Sequence, residues 1–280
     1  MTVLCAQRSI RRWIFQSVAL GFALLVAWTS SGQETPESAA FRNAYKKYRD
    51  NIYDWAERDF ASFIATYPQS PFLPEAVLLQ AQAALKMTNV TKTVSLLQQH
   101  FDKAGPFSDQ YLYVIGQAKF QGGDFRAAAD SFANLAQNFT NSALLLESSL
   151  GEAQARFQLR EFARVIALLQ MPEGTFQRIS RTRPMNPWTV QGNLVLAQAL
   201  HEQQQFRAAE QTLLDIPDAA LTPDLRWERQ YLLCRLIHAD GRPVEALSAT
   251  TNLLSLAAAA TRRGLAYESS ELQEIGRAHV

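Results

Sequence analysis

Cysteine is nearly missing from the chain: 280 residues carry two, Cys5 and Cys234. Cys5 falls in a segment expected to be removed, so no intrachain disulfide framework is available and stability must come from packing. An excess of either charge is also missing. With 27 basic and 26 acidic side chains, the formal net charge is +1, which gives no electrostatic case for nucleic acid. Catalytic signatures are absent too. The sequence holds no His-Glu-x-x-His, no Gly-x-Ser-x-Gly and no Cys-x-x-Cys, and Gly122-Gly123 is too short for a phosphate-binding loop. His100, His201 and His238 are widely separated. His201 and His238 alone would make a weak metal site even if they approached one another, so no metal, cofactor or catalytic residue is assigned. Lysine disappears after Lys119 while arginine continues, which points to a GC-rich genome and hence a bacterium.

One long apolar run exists, Val18 to Trp28, preceded by Arg8, Arg11 and Arg12 and followed by the small and polar residues Thr29 to Gly32. Basic, apolar and small-residue regions in that order read as a secretory signal peptide over residues 1–32, cleaved near Ser30 to Gln33. Its apolar core is shorter than the roughly twenty residues that span a bilayer as a helix. Extended back to Trp13, it would serve as an uncleaved anchor. Cleavage takes the formal charge from +1 to −2.

The rest of the chain repeats itself. Ala81-Gln82-Ala83, Gly116-Gln117-Ala118, Ala153-Gln154-Ala155 and Ala197-Gln198-Ala199 recur at spacings of 35, 37 and 44, and Cys234-Arg235-Leu236 is a degenerate fifth copy after 37 more. Each triplet is followed by apolar residues at offsets of three and four, such as Phe125, Ala128, Phe132 and Phe206, Ala209, Leu213, which share one helical face. Small residues pair at a separation of twelve in six units: Ala44 and Ala56, Ala81 and Thr93, Gly116 and Ala128, Ala153 and Val165, Ala197 and Ala209, Cys234 and Ala246. Helices cross closely where side chains are small. Gly122-Gly123-Asp124 and Asp240-Gly241-Arg242-Pro243 supply turn breakers between the helices.

These features resemble the tetratricopeptide repeat (TPR), over roughly residues 37 to 273. The resemblance implies an all-α solenoid, a right-handed superhelix of antiparallel helix pairs. Units 1 and 2 fall in 33–101, units 3 and 4 in 109–170, and units 5 and 6 in 189–258. Residues 102–108 read as a linker, and 171–188, with three prolines and three arginines, as a solvated insert or a basic partner-contacting flap. A seventh unit would open in 259–273. The last seven residues resemble the one-frame translation of a short-read sequencing adapter, so 274–280 is read as an artefact and the natural chain is expected to continue. Phe60 to Pro71, followed by Glu75-Ala76, resembles exported TPR proteins of bacterial envelopes, of the BamD-like and YbgF-like kind, although the acylated cysteine of BamD-like lipoproteins is missing.

In a TPR the first helix of each unit lines the concave side, with positions 2, 5, 9 and 12 facing a partner. That implies a groove containing Gln82, Tyr113, Gln117, Gln154, Gln198, Glu228, Tyr231 and Arg235, suited to a protein or peptide ligand. A lysine-asparagine-arginine carboxylate clamp is not visible at these positions. Cys234, at a small-residue position, is expected to be buried. The function expected is a non-catalytic scaffold in the periplasm or at the outer membrane that supports complex assembly, touching membrane only through the amino-terminal segment. The alternatives are the amino-terminal adaptor of a larger envelope enzyme, for example a cell-wall-active one, and an adaptor anchored in the inner membrane.

Overall fold

A computed structural model describes residues 35–258. The signal peptide assigned to 1–32, the unit opening at 259 and the tail 274–280 lie outside them. The described residues are helical with no strand, in two compact bodies that divide at Val114 and Ile115. The first body holds α1 (Pro36–Arg49), α2 (Tyr53–Thr66), α3 (Leu73–Lys86), α4 (Val90–Gln99) and the first half of α5 (Ser108–Gln121). The second holds the remainder of α5, then α6 (Phe125–Asn138), α7 (Leu145–Gln158), α8 (Phe162–Gln170), the short α9 (Thr175–Ser180), α10 (Pro187–Glu202), α11 (Phe206–Leu214), α12 (Pro223–Ala239) and a helix opening at Pro243. This is an all-α fold of TPR-type helix hairpins.

Burial follows the twelve-residue register. Eleven of the twelve paired small positions are buried; only Cys234 is not. Most first helices bury residues on several faces, ten in α3, eight in α7 and ten in α10, whereas α1 buries only Ala44. Second helices bury a narrow stripe, Thr93 and Leu97 in α4, Val165 and Leu169 in α8, Ala209 and Leu213 in α11. Such i, i+4 pairs form one line on a helix whose other side faces water. In the second body Phe132 of α6 fills the space that two glycines leave. A Cβ on Gly116 would stand 2.7 Å from its ring and one on Gly151 2.8 Å from it.

Every first helix ends the same way. Asn51, Thr88, Gly123, Arg160, Gln204 and Gly241 occupy equivalent positions, and all have φ between 59° and 84°. The next N–H reaches back five residues to a carbonyl, as in Ile52 to Lys47 (2.9 Å), Asp124 to Lys119 (2.9 Å) and Arg242 to Ile237 (3.2 Å), closing a Schellman turn. A left-handed residue is cheap for glycine and strained for a β-branched side chain. Thr88→Gly is therefore expected to raise stability by about 1 kcal/mol, and Gly123→Ala, which meets no steric neighbour, to lower it by about 1 kcal/mol, both read from urea unfolding midpoints.

Three expectations need correction. The 171–188 insert is not simply solvated: α9 lies within it, Phe176 is fully buried, and a Cβ on Gly192 would fall 2.3 Å from the Phe176 Cζ. Gln177 Nε2 donates to the Leu169 carbonyl (2.6 Å) and Thr189 Oγ1 to that of Arg183 (3.0 Å), fastening both ends. Residues 102–108 are likewise more than a linker, since short 3-10 turns over Phe101–Lys103 and Gly105–Phe107 bury Ala104 completely. Cys234 is half-buried, a free thiol beside Ile237, Ala246 and Ala249. Its hairpin closes less fully because Thr250, where the other second helices carry a buried Phe or Leu, is exposed.

Candidate functional site

Helix register decides which first-helix side chains a partner could touch. Position 5 points inward in α3, α5, α7 and α10, where Leu78, Leu150 and Leu194 are core residues and Tyr113 is only 6% exposed, while in α12 the same position holds the half-buried Tyr231. Position 12 is used within its own hairpin. Phe120 packs edge-on against Phe125 (ring centroids 5.2 Å apart), Phe157 against Phe162 (5.1 Å) and His201 against Phe206 (5.7 Å), each five residues on across the turn. The first body repeats the clasp with Tyr48 and Tyr53 (5.6 Å).

Position 9 is where polar groups stay available. In the first body the Tyr48 hydroxyl donates to Gln82 Oε1 (2.9 Å), joining equivalent helices of neighbouring repeats. In the second body Gln117, Gln154 and Gln198 are half-buried, and none hydrogen-bonds to the rest of the described protein. Each amide can donate and accept. The same register carries Arg235 in α12, exposed.

Position 2 supplies carboxyls held out of water. Burial pushes up Glu75 and Glu147, the latter pulled part of the way back by its own backbone, the Arg183 charge and a hydrogen bond with the Trp188 side chain. Glu228 is pushed furthest, up to about 7, by burial alone. A carboxyl whose folded pKa exceeds its unfolded value loses stability as pH rises from about 4.5 to about 7, because the unfolded chain ionises first. Glu228→Gln is therefore expected to match wild type below pH 4.5 and to exceed it by on the order of 2 kcal/mol above pH 7, measured by unfolding across that range.

On α12 three side chains at i, i+4 and i+8 stack on one another. Trp227 and Tyr231 lie parallel (5.4 Å, 5° between planes), and the Arg235 guanidinium sits 5.9 Å from the Tyr231 ring centre. Of the sequence-assigned residues, this brings Tyr231 and Arg235 together. Trp227, 39% exposed, was not among them, though its spacing from Tyr231 is the signal that could have found it. Among the described residues no group of three or more His, Cys, Asp or Glu could hold a metal ion, and no helix is long and apolar enough to cross a membrane.

No family model matches the chain, and no curated protein matches it. Solved structures do. BtubC (BKLC) from P. vanneervenii shares 15% identity over 81% of this chain and 93% of its own, with a TM-score of 0.57. A Rap protein complexed with Competence and Sporulation Factor shares 14% over 79% of this chain and 65% of its own, at 0.50. A Podosopora anserina protein with nearly identical TPR-like repeats shares 14% over 82% and 99%, at 0.44. At such identities the likeness is one of fold.

Proposed function

We propose that this chain is a non-catalytic scaffold that binds another protein on its first helices, exported to the bacterial periplasm or outer membrane, where it supports assembly of a complex. The observation that carries the binding role is the row of half-exposed, unbonded amides at Gln117, Gln154 and Gln198, in three successive repeats of the second body. These amides reach water, so each can exchange a solvent hydrogen bond for one to a partner without breaking a bond inside the protein. Peptide backbone, which needs donors and acceptors in regular succession, suits such a row. The Rap structure supports the reading to the extent that the same fold is there complexed with another molecule. Export rests on the amino-terminal pattern alone.

Site-specific photocrosslinking in the cells that make the protein tests this reading. A benzoylphenylalanine at Gln117, Gln154 or Gln198 is expected to give a discrete protein adduct, whereas one at Arg126, Arg164 or Gln211 on the second helices is not. Equal adducts from both sets, or none from the first, would sink the binding role. Export is checked separately: the chain should be digested by protease added after the outer membrane alone is permeabilised, and protection would contradict it.

A further inference from the structure

The α12 ladder differs from the rest of the position 9 row in chemistry. Where units 2 to 5 place Gln82, Gln117, Gln154 and Gln198, this one places Arg235. Its guanidinium lies over Tyr231 and makes no ion pair among the described residues, although arginines close by in sequence are committed: Arg229 to Asp218 (2.6 Å) and the Ile216 carbonyl (3.1 Å), Arg242 to Glu210 (2.7 Å) and Glu245. A guanidinium over a ring is drawn to it by its charge and keeps N–H groups with which it can hold a carboxylate in two parallel hydrogen bonds. Trp227 at the other end of the stack presents an apolar surface.

Resting on the scaffold reading, we infer that the α12 face formed by Trp227, Tyr231 and Arg235 receives a peptide segment of the partner, with a carboxylate on Arg235 and an apolar side chain on Trp227. Eight helical residues separate the two anchors by about 12 Å. An extended peptide covers that distance in about four residues, so the aromatic residue or proline and the Asp or Glu of the ligand stand three or four apart. The occupant is committed by charge: an exposed cation without an acid among the described residues, beside an apolar ring, calls for an anion next to an apolar group.

A peptide array probed with the full chain tests it. The probes are 12-residue peptides bearing Trp, Phe or Pro at one to six residues from Asp or Glu, each with its Asn or Gln counterpart, and affinities of the retained peptides follow by fluorescence polarisation. Carboxylate peptides spaced by three or four are expected to bind at least about tenfold more tightly than their amide counterparts, the size of one charge-assisted hydrogen bond. Arg235→Gln should collapse that ratio to about one, Arg235→Lys should restore part of it, and Trp227→Ala should weaken carboxylate and amide peptides alike. The inference is overturned if no peptide binds, if amide peptides bind equally, if the ratio survives in Arg235→Gln, or if the same face instead retains oligosaccharides spotted beside the peptides. Crosslinks from Gln117 or Gln154 together with a silent array would leave the scaffold reading standing and remove only this ligand.

Discussion

Gly192→Ala is expected to cost at least about 3 kcal/mol of stability, because the added methyl group has nowhere to go. Its Cβ would stand 2.3 and 2.4 Å from two carbons of the Phe176 ring, which is fully buried and anchors α9. Phe176→Ala should cost a comparable 3 to 5 kcal/mol by the opposite defect, a cavity. Trimming the ring in Gly192→Ala/Phe176→Leu should recover much of the loss, since residues in direct contact are not additive. Urea unfolding of wild type, Gly192→Ala, Phe176→Leu and the double variant gives the coupling directly. Single variants within about 0.5 kcal/mol of wild type would mean that α9 does not pack on α10 as described.

Glu57→Ala should be the most damaging polar change, about 2 to 3 kcal/mol. Glu57 is buried in α2 and accepts from Gln80 Nε2 (2.6 Å) and Lys92 Nζ (2.7 Å), tying the first hairpin to both helices of the next. Removing it strands the buried Gln80 amide, while Lys92 is exposed enough to turn to water. Adding Gln80→Leu to Glu57→Ala should therefore return part of the loss. Repeat arrays are stabilised by nearest neighbours, so hydrogen exchange should accelerate in α2 and α3 while α10 and α11 keep wild-type rates. Uniform acceleration across those helices would contradict that locality.

What could be read from the sequence was what helical spacing alone determines. The pairs from Ala44 and Ala56 to Ala197 and Ala209 are buried where a separation of twelve places them, because both members sit on the same helix hairpin and need no distant contact to be recognised. Turns were legible only where glycine marks them. Thr88, Arg160 and Gln204 take the same left-handed conformation as Gly123 without a glycine to announce it, compelled by the Schellman bonds of the helix they end. Helix α9 was hidden because it is six residues long, among prolines, and exists through a contact between Phe176 and a glycine sixteen residues away.

The candidate site was legible in part, for the same reason. Register identified the position 9 glutamines, but the family pattern assigned position 5 to the partner, and here Tyr113, Leu150 and Leu194 are consumed by packing. Position 12 is consumed by the turn clasps. The stack on α12 followed from i, i+4 geometry, which the sequence does display in Trp227, Tyr231 and Arg235.

The central claim is that a partner occupies the first helices, and hydrogen exchange of the full chain with and without the protein recovered by crosslinking tests it most directly. Slowed exchange in α7, α10 and α12, with α6, α8 and α11 unchanged, is the result predicted. Protection confined to the second helices, or no change in either set at saturating partner, would contradict it.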